Sequence, residues 1–222
     1  MLLSRAADAL YWISRYLERA EHTARLARVR LDLGLDRRRQ IEAWDFERLY
    51  ASLRIKPPAI MPATPSDLVD AIVFDAANRD SVTACVTAAR ENARQVREEI
   101  SSEMWEQLNA LFLRTKQMRE DGSWGARIHH VSRTIIDGVR LFKGITNGTM
   151  SHGEGWQYLQ VGHYLERSNP TASLLTLFVP EETGSMNMPE PRDQVEWVTL
   201  LESCSALEAY CRYYTADVRA GR

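Results

Sequence analysis

Two Glu-Arg dipeptides are the residues best placed to do chemistry. Residues 16–26 read YLERAEHTARL and residues 164–174 read YLERSNPTASL, identical at seven of eleven positions with an offset of 148. A glutamate can orient an amine or act as a general base, and a guanidinium can fork onto a carboxylate or phosphate. Glu18, Arg19, Glu166 and Arg167 therefore form a candidate polar cluster. Ordinary helix surfaces also carry such pairs: Glu18 has Arg15 at i−3 and His22 at i+4, and Glu21 has Arg25 at i+4. The Glu-Arg pair persists in both copies, however, while Glu21, His22 and Arg25, read as surface positions, become Asn169, Pro170 and Ser173. A merely solvated pair would drift with them.

Other chemistries find less support. A carboxylate-bundle metal site needs Glu-x-x-His on two helices, and no such motif occurs. There is no GxSxG elbow, no CxxC, and no cysteine with a histidine in nearby sequence. The glycine-rich stretch TNGTMSHGEGW at 146–156 lacks the GxxxxGK[ST] pattern and a preceding strand. Neither a cofactor nor a metal is expected. His129, His130 and His152 read as surface histidines, and Arg37–Arg39 as a solvated basic knuckle without aromatic neighbours.

The elements that must carry these residues are helical. Leu3, Ala6, Leu10, Ile13, Leu17, Ala20, Ala24, Ala27 and Leu31 make one stripe, predicting a helix over 3–33 that Gly34 closes. At about 100° per residue, Glu18 falls about 115° from the stripe and Arg19 about 145°, on the side of Trp12 and Tyr16. Arg19 is thus expected among aromatics, where it can stack or fork onto a carboxylate. A short helix follows at 41–53, then a proline-rich connector at 56–65, then a helix capped by Ser66 and running to about Asp75. Residues 81–120 predict two helices meeting near Ser101, with Val82, Cys85, Ala89, Ala93, Val96 and Ile100 as the first stripe. Asn92 and Arg97 sit at its core edge and Glu91 almost opposite, toward solvent; Glu103 lies near a helix start. Helices at 126–146, at 154–178 (which Pro170 should kink or break) and at 193–217 complete the chain. Alternating β-branched residues are missing, so the fold class is all-α, a bundle of about seven helices.

The chain has 222 residues, 45% of them apolar, with 11 glycines and 8 prolines. That suffices for a sizeable core and excludes a disordered or collagen-like chain. A formal charge of −2 gives no global pull toward nucleic acid or an acidic membrane. Charges interrupt the N-terminal segment and no long apolar run occurs, so neither a signal peptide nor a membrane span is expected. Three cysteines read as small buried hydrophobes in a reducing cytoplasm, and Cys204 and Cys211 lie about 10 Å apart on one straight helix, too far to bridge. The repeat divides one domain into related halves, about 1–122 and 123–222, disposed about a pseudo-twofold axis. Trp44 and Trp197 match if five residues are inserted. The second half reads as incomplete, because no counterpart of 81–120 follows it.

LLSRAADALYWISRYLERAEHTARL, SVTACVTAARENARQVREEISSEMWEQLN and LFKGITNGTMSHGEGWQYLQVGHYLER together resemble the bacterial alpha-E domain family from residue 2 to about 215. The resemblance implies a helical fold and genes that accompany a circularly permuted ATP-grasp ligase, a transglutaminase-like peptidase and sometimes a proteasome-like subunit. Such company implies a peptide- or amide-bond-forming system. Carried over by position, the family's motif residues are Glu18, Arg19, Arg90, Glu91, Asn92, Arg94, Glu103, Trp105, Asn109, Thr149, Glu154, Trp156, Glu166 and Arg167. Gly162–His163 departs from the family's usual Gly-Arg, and Pro170 from a helix-friendly residue. Two functions are then expected in turn: a non-catalytic partner or substrate-binding subunit of the ligase, or an enzyme using the Glu/Arg cluster for acid–base chemistry on a peptide or amino acid. ATP binding by this chain alone is not expected, and a homo-oligomer is compatible with the sequence.

Overall fold

The computed structural model describes residues 2–35, 43–57, 62, 64–121, 128–178, 194–214 and 218. Nine α-helices occur among them: α1 (Ser4–Leu35), α2 (Ala43–Leu53), α3 (Pro65–Val69), α4 (Val82–Gln95), α5 (Ser102–Asp121), α6 (Ile128–Thr149), α7 (Glu154–Phe178), α8 (Gln194–Ser203) and α9 (Leu207–Tyr213). A π-helical turn, Asp70–Phe74, extends α3, and a 3₁₀ turn, Arg97–Glu99, separates α4 from α5. No strand occurs among the described residues, so the protein is all-helical. The expected Arg37–Arg39 knuckle lies outside them.

The chain forms two compact units. One comprises Met1–Arg28 with Pro62–Arg167, the other Val29–Met61 with Ser168–Arg222. In the first, the predicted stripes of α1 (Leu10, Ile13 and Leu17) and α4 (Val82, Cys85, Ala89 and Ala93) are buried, and Met104, Leu108 and Leu111 of α5 and Val131, Ile135, Val139 and Phe142 of α6 complete the core. Burying each large aliphatic side chain stabilises by roughly 1.5–3 kcal/mol. Two glycines let backbones approach. A methyl on Gly138 would stand 2.7 Å from Leu111 Cδ1, where α6 packs on α5, and Gln107 Nε2 donates to the Gly138 carbonyl at 2.9 Å. A methyl on Gly162 of α7 would collide with the Tyr11 carbonyl oxygen of α1 and lie 3.1 Å from Ser14 Cβ. In the second unit Leu49, Tyr50, Leu174, Phe178, Leu200 and Val218 are buried, with the Phe178 and Trp197 rings 6.5 Å apart.

Several expected boundaries shift for local reasons. Leu3 is 71% exposed and outside the stripe, and α1 continues through Gly34 to Leu35. The cap of α3 is Thr64 rather than Ser66: Thr64 Oγ1 accepts from Asp67 N at 3.1 Å and Asp67 Oδ2 accepts from Thr64 N at 2.9 Å, a capping box with Pro65 at the first helical position. Pro170 does not break α7, although it removes the amide proton that the Glu166 carbonyl would accept. The single helix expected at 193–217 is two. Ser205 takes a φ of 55°, Ser205 N donates to the Glu202 carbonyl and Ala206 N to the Leu201 carbonyl, the bond pair of a Schellman end. Arg54 ends α2 in the same way. Of the cysteines only Cys85 is buried; Cys204 is intermediate and Cys211 exposed.

Candidate functional site: a crossed Glu-Arg clasp

The two Tyr-Leu-Glu-Arg segments face each other where α1 and α7 meet at Gly162. Their Glu-Arg dipeptides exchange partners reciprocally. Arg167 Nε donates to Glu18 Oε1 at 2.8 Å, and Arg19 Nε donates to Glu166 Oε1 at 2.7 Å, with Arg19 Nη2 reaching Glu166 Oε2 at 3.2 Å. Glu18 is fully buried and Glu166 is 6% exposed.

Each carboxylate collects more cations. Lys143 Nζ, from α6, donates to Glu18 Oε2 and to Glu21 Oε2 at 2.5 Å each. His163 Nδ1 lies 2.8 Å from Glu18 Oε2, an ion pair when the ring is protonated. Arg15 Nε donates to Glu166 Oε2 and Arg15 Nη1 to the Tyr11 hydroxyl. Arg19 Nη1 continues to Asp80 Oδ1 at 2.6 Å. Glu21 Oε1 accepts from Arg25 Nη1 at 3.1 Å and from Arg140 Nε at 3.4 Å. All eight residues from Ala20 to Ala27 are buried.

This corrects the reading of three α1 residues as surface positions. Glu21, His22 and Arg25 are buried, not surface positions. Arg25 does hold Glu21 as its spacing predicts, but Arg15 turns away from Glu18 to Glu166. Arg19 does fork onto a carboxylate and stand over an aromatic ring, Tyr16 at 5.9 Å; Trp12 instead receives Arg15 at 5.3 Å.

The electrostatics follow from this crowding. Burial opposes a charge on Glu18, but His163, Lys143 and Arg167 outweigh it and hold its carboxyl well below the usual carboxylate range. Burial likewise opposes the charge on Arg19, yet Glu166 holds that guanidinium more firmly protonated than usual, as Glu18 does Arg167. Burial, then the neighbouring Arg25 charge, pushes His22 down to about 3. Burial pushes the Cys85 thiol up to about 12, so it is not an activated nucleophile.

Of the fourteen motif residues, four meet in the clasp: Glu18, Arg19, Glu166 and Arg167. The other ten, among them the candidates Arg90, Glu91, Asn92, Arg94, Glu103 and Glu154, do not join it. Glu91 and Arg94 pair with each other at 2.6 Å on the exposed face of α4. Asn92 Nδ2 donates to the Ala88 carbonyl of its own helix at 2.9 Å. Glu103 is exposed in the first turn of α5, whose start Ser101 caps through Met104 N at 3.1 Å. Glu154, exposed at the start of α7, accepts from Leu2 N at 2.7 Å. Arg90 Nε donates to Asn109 Oδ1 at 2.7 Å, on the contact between α4 and α5. Conversely, Asp80, Arg140 and Lys143 belong to the clasp or its rim without having been singled out, and Arg15 and His163 without having been read as part of the site. Lys143 follows the stripe residue Phe142, and that adjacency to the buried face was its one signal.

A cavity of about 160 Å³ borders the clasp, lined by Leu17, Phe142, Lys143, Leu159, His163 and Tyr164 among others. Among the described residues no group of three or more His, Cys, Asp or Glu is placed to hold a metal ion, and no helix is long and apolar enough to cross a membrane.

Fold and site thus define an all-helical protein whose first unit is tied together by two crossed Glu-Arg dipeptides. A family model described as a predicted alpha-helical domain with a conserved ER motif matches residues 2–222. The chain belongs to this Alpha-E family. It contains a third Glu-Arg dipeptide, Glu47–Arg48 in α2, where Glu47 is exposed; the two in the Tyr-Leu-Glu-Arg context make the clasp. No curated protein and no solved structure matches the chain.

Proposed function

We propose that this Alpha-E chain is a non-catalytic component, a partner or substrate-binding subunit, of a bacterial peptide- or amide-bond-forming system working beside an ATP-grasp ligase in the cytoplasm. The observation that carries the non-catalytic reading is the saturation of the clasp. A general base needs a free lone pair and an affinity for protons near the working pH. Glu18 has one oxygen on Arg167 and the other between Lys143 and His163, and its carboxyl is held far toward the ionised form. Glu166 is gripped by two guanidinium groups. An ammonium donating to two carboxylates, as Lys143 does, has no lone pair for attack. The ligase and the transglutaminase-like peptidase enter as partners through the family resemblance alone. The three free cysteines suit a reducing compartment.

We further read the two Tyr-Leu-Glu-Arg segments as copies of one ancestral helical unit. Reciprocal exchange, Glu18 with Arg167 and Arg19 with Glu166, is the pattern a local twofold between equivalent dipeptides would produce. The enzyme reading has one observation in its favour: the cavity beside Lys143 and His163 can take a small ligand against the clasp.

The test is the double substitution Glu18→Gln with Glu166→Gln, in a system reconstituted from this chain and the ATP-grasp ligase encoded with it. The expected result is a lower melting temperature, with ligase binding and product formation tracking the folded fraction. Loss of product under conditions where the variant is folded and still binds the ligase would overturn the non-catalytic reading and install the acid–base enzyme in its place.

A further inference from the structure

A second arginine cluster lies on α4, α5 and the 3₁₀ turn between them. Arg90 stands over Phe112 at 4.7 Å and over Trp105 at 5.3 Å; Arg97 stands over Trp105 at 5.1 Å. The bond from Arg90 Nε to Asn109 fixes the plane of that guanidinium. Unlike the arginines of the clasp, neither Arg90 nor Arg97 has a carboxylate within ion-pair distance among the described residues, and the Nη groups of both donate to nothing there. The nearest acid in sequence, Glu91, is occupied by Arg94. All of Arg90, Arg97, Trp105, Asn109 and Phe112 are partly exposed.

We propose that this face docks an acidic linear segment of a partner protein, its carboxylates forking onto the open edges of Arg90 and Arg97 beside Trp105. A guanidinium stacked on a ring keeps its in-plane donors available, is weakly hydrated, and has already surrendered much of its rotamer freedom. A carboxylate then meets two parallel donors in a matching fork. Both guanidinium groups lie within 5.3 Å of one indole centroid, a span that roughly two to three extended residues cover. The motif that fits is an acid, one spacer and a second acid. A nucleic acid fits poorly: the exposed Glu91, Glu98, Glu103 and Glu106 on the same elements would repel a continuous phosphate chain. A segment with only two carboxylates, each seated on a guanidinium, meets less of that repulsion than a continuous phosphate chain.

As a docking surface this extends the partner reading above, and it is measured without the ligase so that the two can fail separately. The full chain is titrated, with fluorescence anisotropy as readout, against a labelled Gly/Ser peptide bearing Glu-Gly-Glu, its Gln-Gly-Gln counterpart, and a labelled single-stranded DNA. The Glu peptide is expected to bind saturably and more weakly as salt rises. Arg97→Gln, whose side chain makes no hydrogen bond among the described residues, and Arg90→Lys, which keeps the charge but not the fork, should each weaken it by about tenfold or more while the circular dichroism spectrum and melting temperature stay in place. Equal binding of the Gln peptide, unchanged binding by Arg97→Gln, no saturable binding, or preferential capture of the DNA would each overturn the proposal.

Discussion

The larger unit uses arginine in two ways, and the contrast shows what decides its role. In the clasp, Arg15, Arg19 and Arg167 reach carboxylates on a facing helix, and the aromatic rings beside Arg15 and Arg19 are secondary. On the α4–α5 face, Arg90 and Arg97 meet rings first and no carboxylate within ion-pair distance among the described residues. A buried carboxylate must be neutralised locally or it costs several kcal/mol, so Glu18 and Glu166 hold the clasp's arginines, themselves only partly buried, in ion pairs. Arg90 and Arg97 are also partly exposed but face no buried acid among the described residues, and their open edges stay available to a partner. A buried carboxylate on the facing helix thus sorts chemically identical side chains into a fastener and a receptor.

The comparison breaks most visibly at Glu18. Glu18→Gln leaves Arg167, Lys143 and His163 around a neutral amide, and we expect a loss of about 3 kcal/mol, read from the denaturant midpoint. Next comes Gly162→Ala. Its methyl would meet the Tyr11 carbonyl, backbone that cannot rotate away, so α1 and α7 must separate and lengthen both crossed pairs. A cost of about 2 kcal/mol is expected, and a smaller loss when Glu18→Gln is already present, since the second change then has less to disrupt.

The same contrast explains what could be read in the residues beforehand. Helices were legible because their apolar stripes at three- and four-residue spacing are the core itself, as Val82 through Ile100 illustrate. Glu18, Arg19, Glu166 and Arg167 were legible because they occur twice. Lys143 was not: it lies 125 residues from Glu18, and nothing local marks a lysine that turns inward. Glu21, His22 and Arg25 looked solvent-facing because polarity usually signals exposure, a rule that fails when charges neutralise each other in place. The break at Ser205 carried no glycine or asparagine to announce a left-handed residue. The Thr64-x-x-Asp67 capping box did announce the start of α3, one turn's worth of chemistry hidden beside the more conspicuous Ser66.

Acid sharpens the comparison further. His22 has its pKa lowered to about 3 by burial and by Arg25, against about 6.5 for a free histidine. A depressed folded pKa contributes stability that is complete above the unfolded value and is lost as pH falls toward the folded one. Unfolding free energy should therefore decline from near pH 6.5, by roughly 1–2 kcal/mol at pH 5. Glu18, also depressed, adds its own loss only below about pH 4.3. Chemical denaturation across pH 5 to 7 should show the slope in the wild type and its absence in His22→Asn; an identical slope in both would move the acid sensitivity elsewhere.

The smallest effect belongs to the exposed pair on α4. Glu91 and Arg94 lie closer together than Glu18 and Arg167, at 2.6 Å against 2.8 Å. Distance alone would rank the α4 pair as the stronger. Water and salt screen it, and its two long side chains give up rotamer freedom to hold one geometry. Glu91→Gln should leave the melting temperature within error of the wild type at physiological salt. If it instead destabilised as much as Glu18→Gln, proximity rather than burial would govern both arginine regions, and the distinction between fastener and receptor would lose its physical basis.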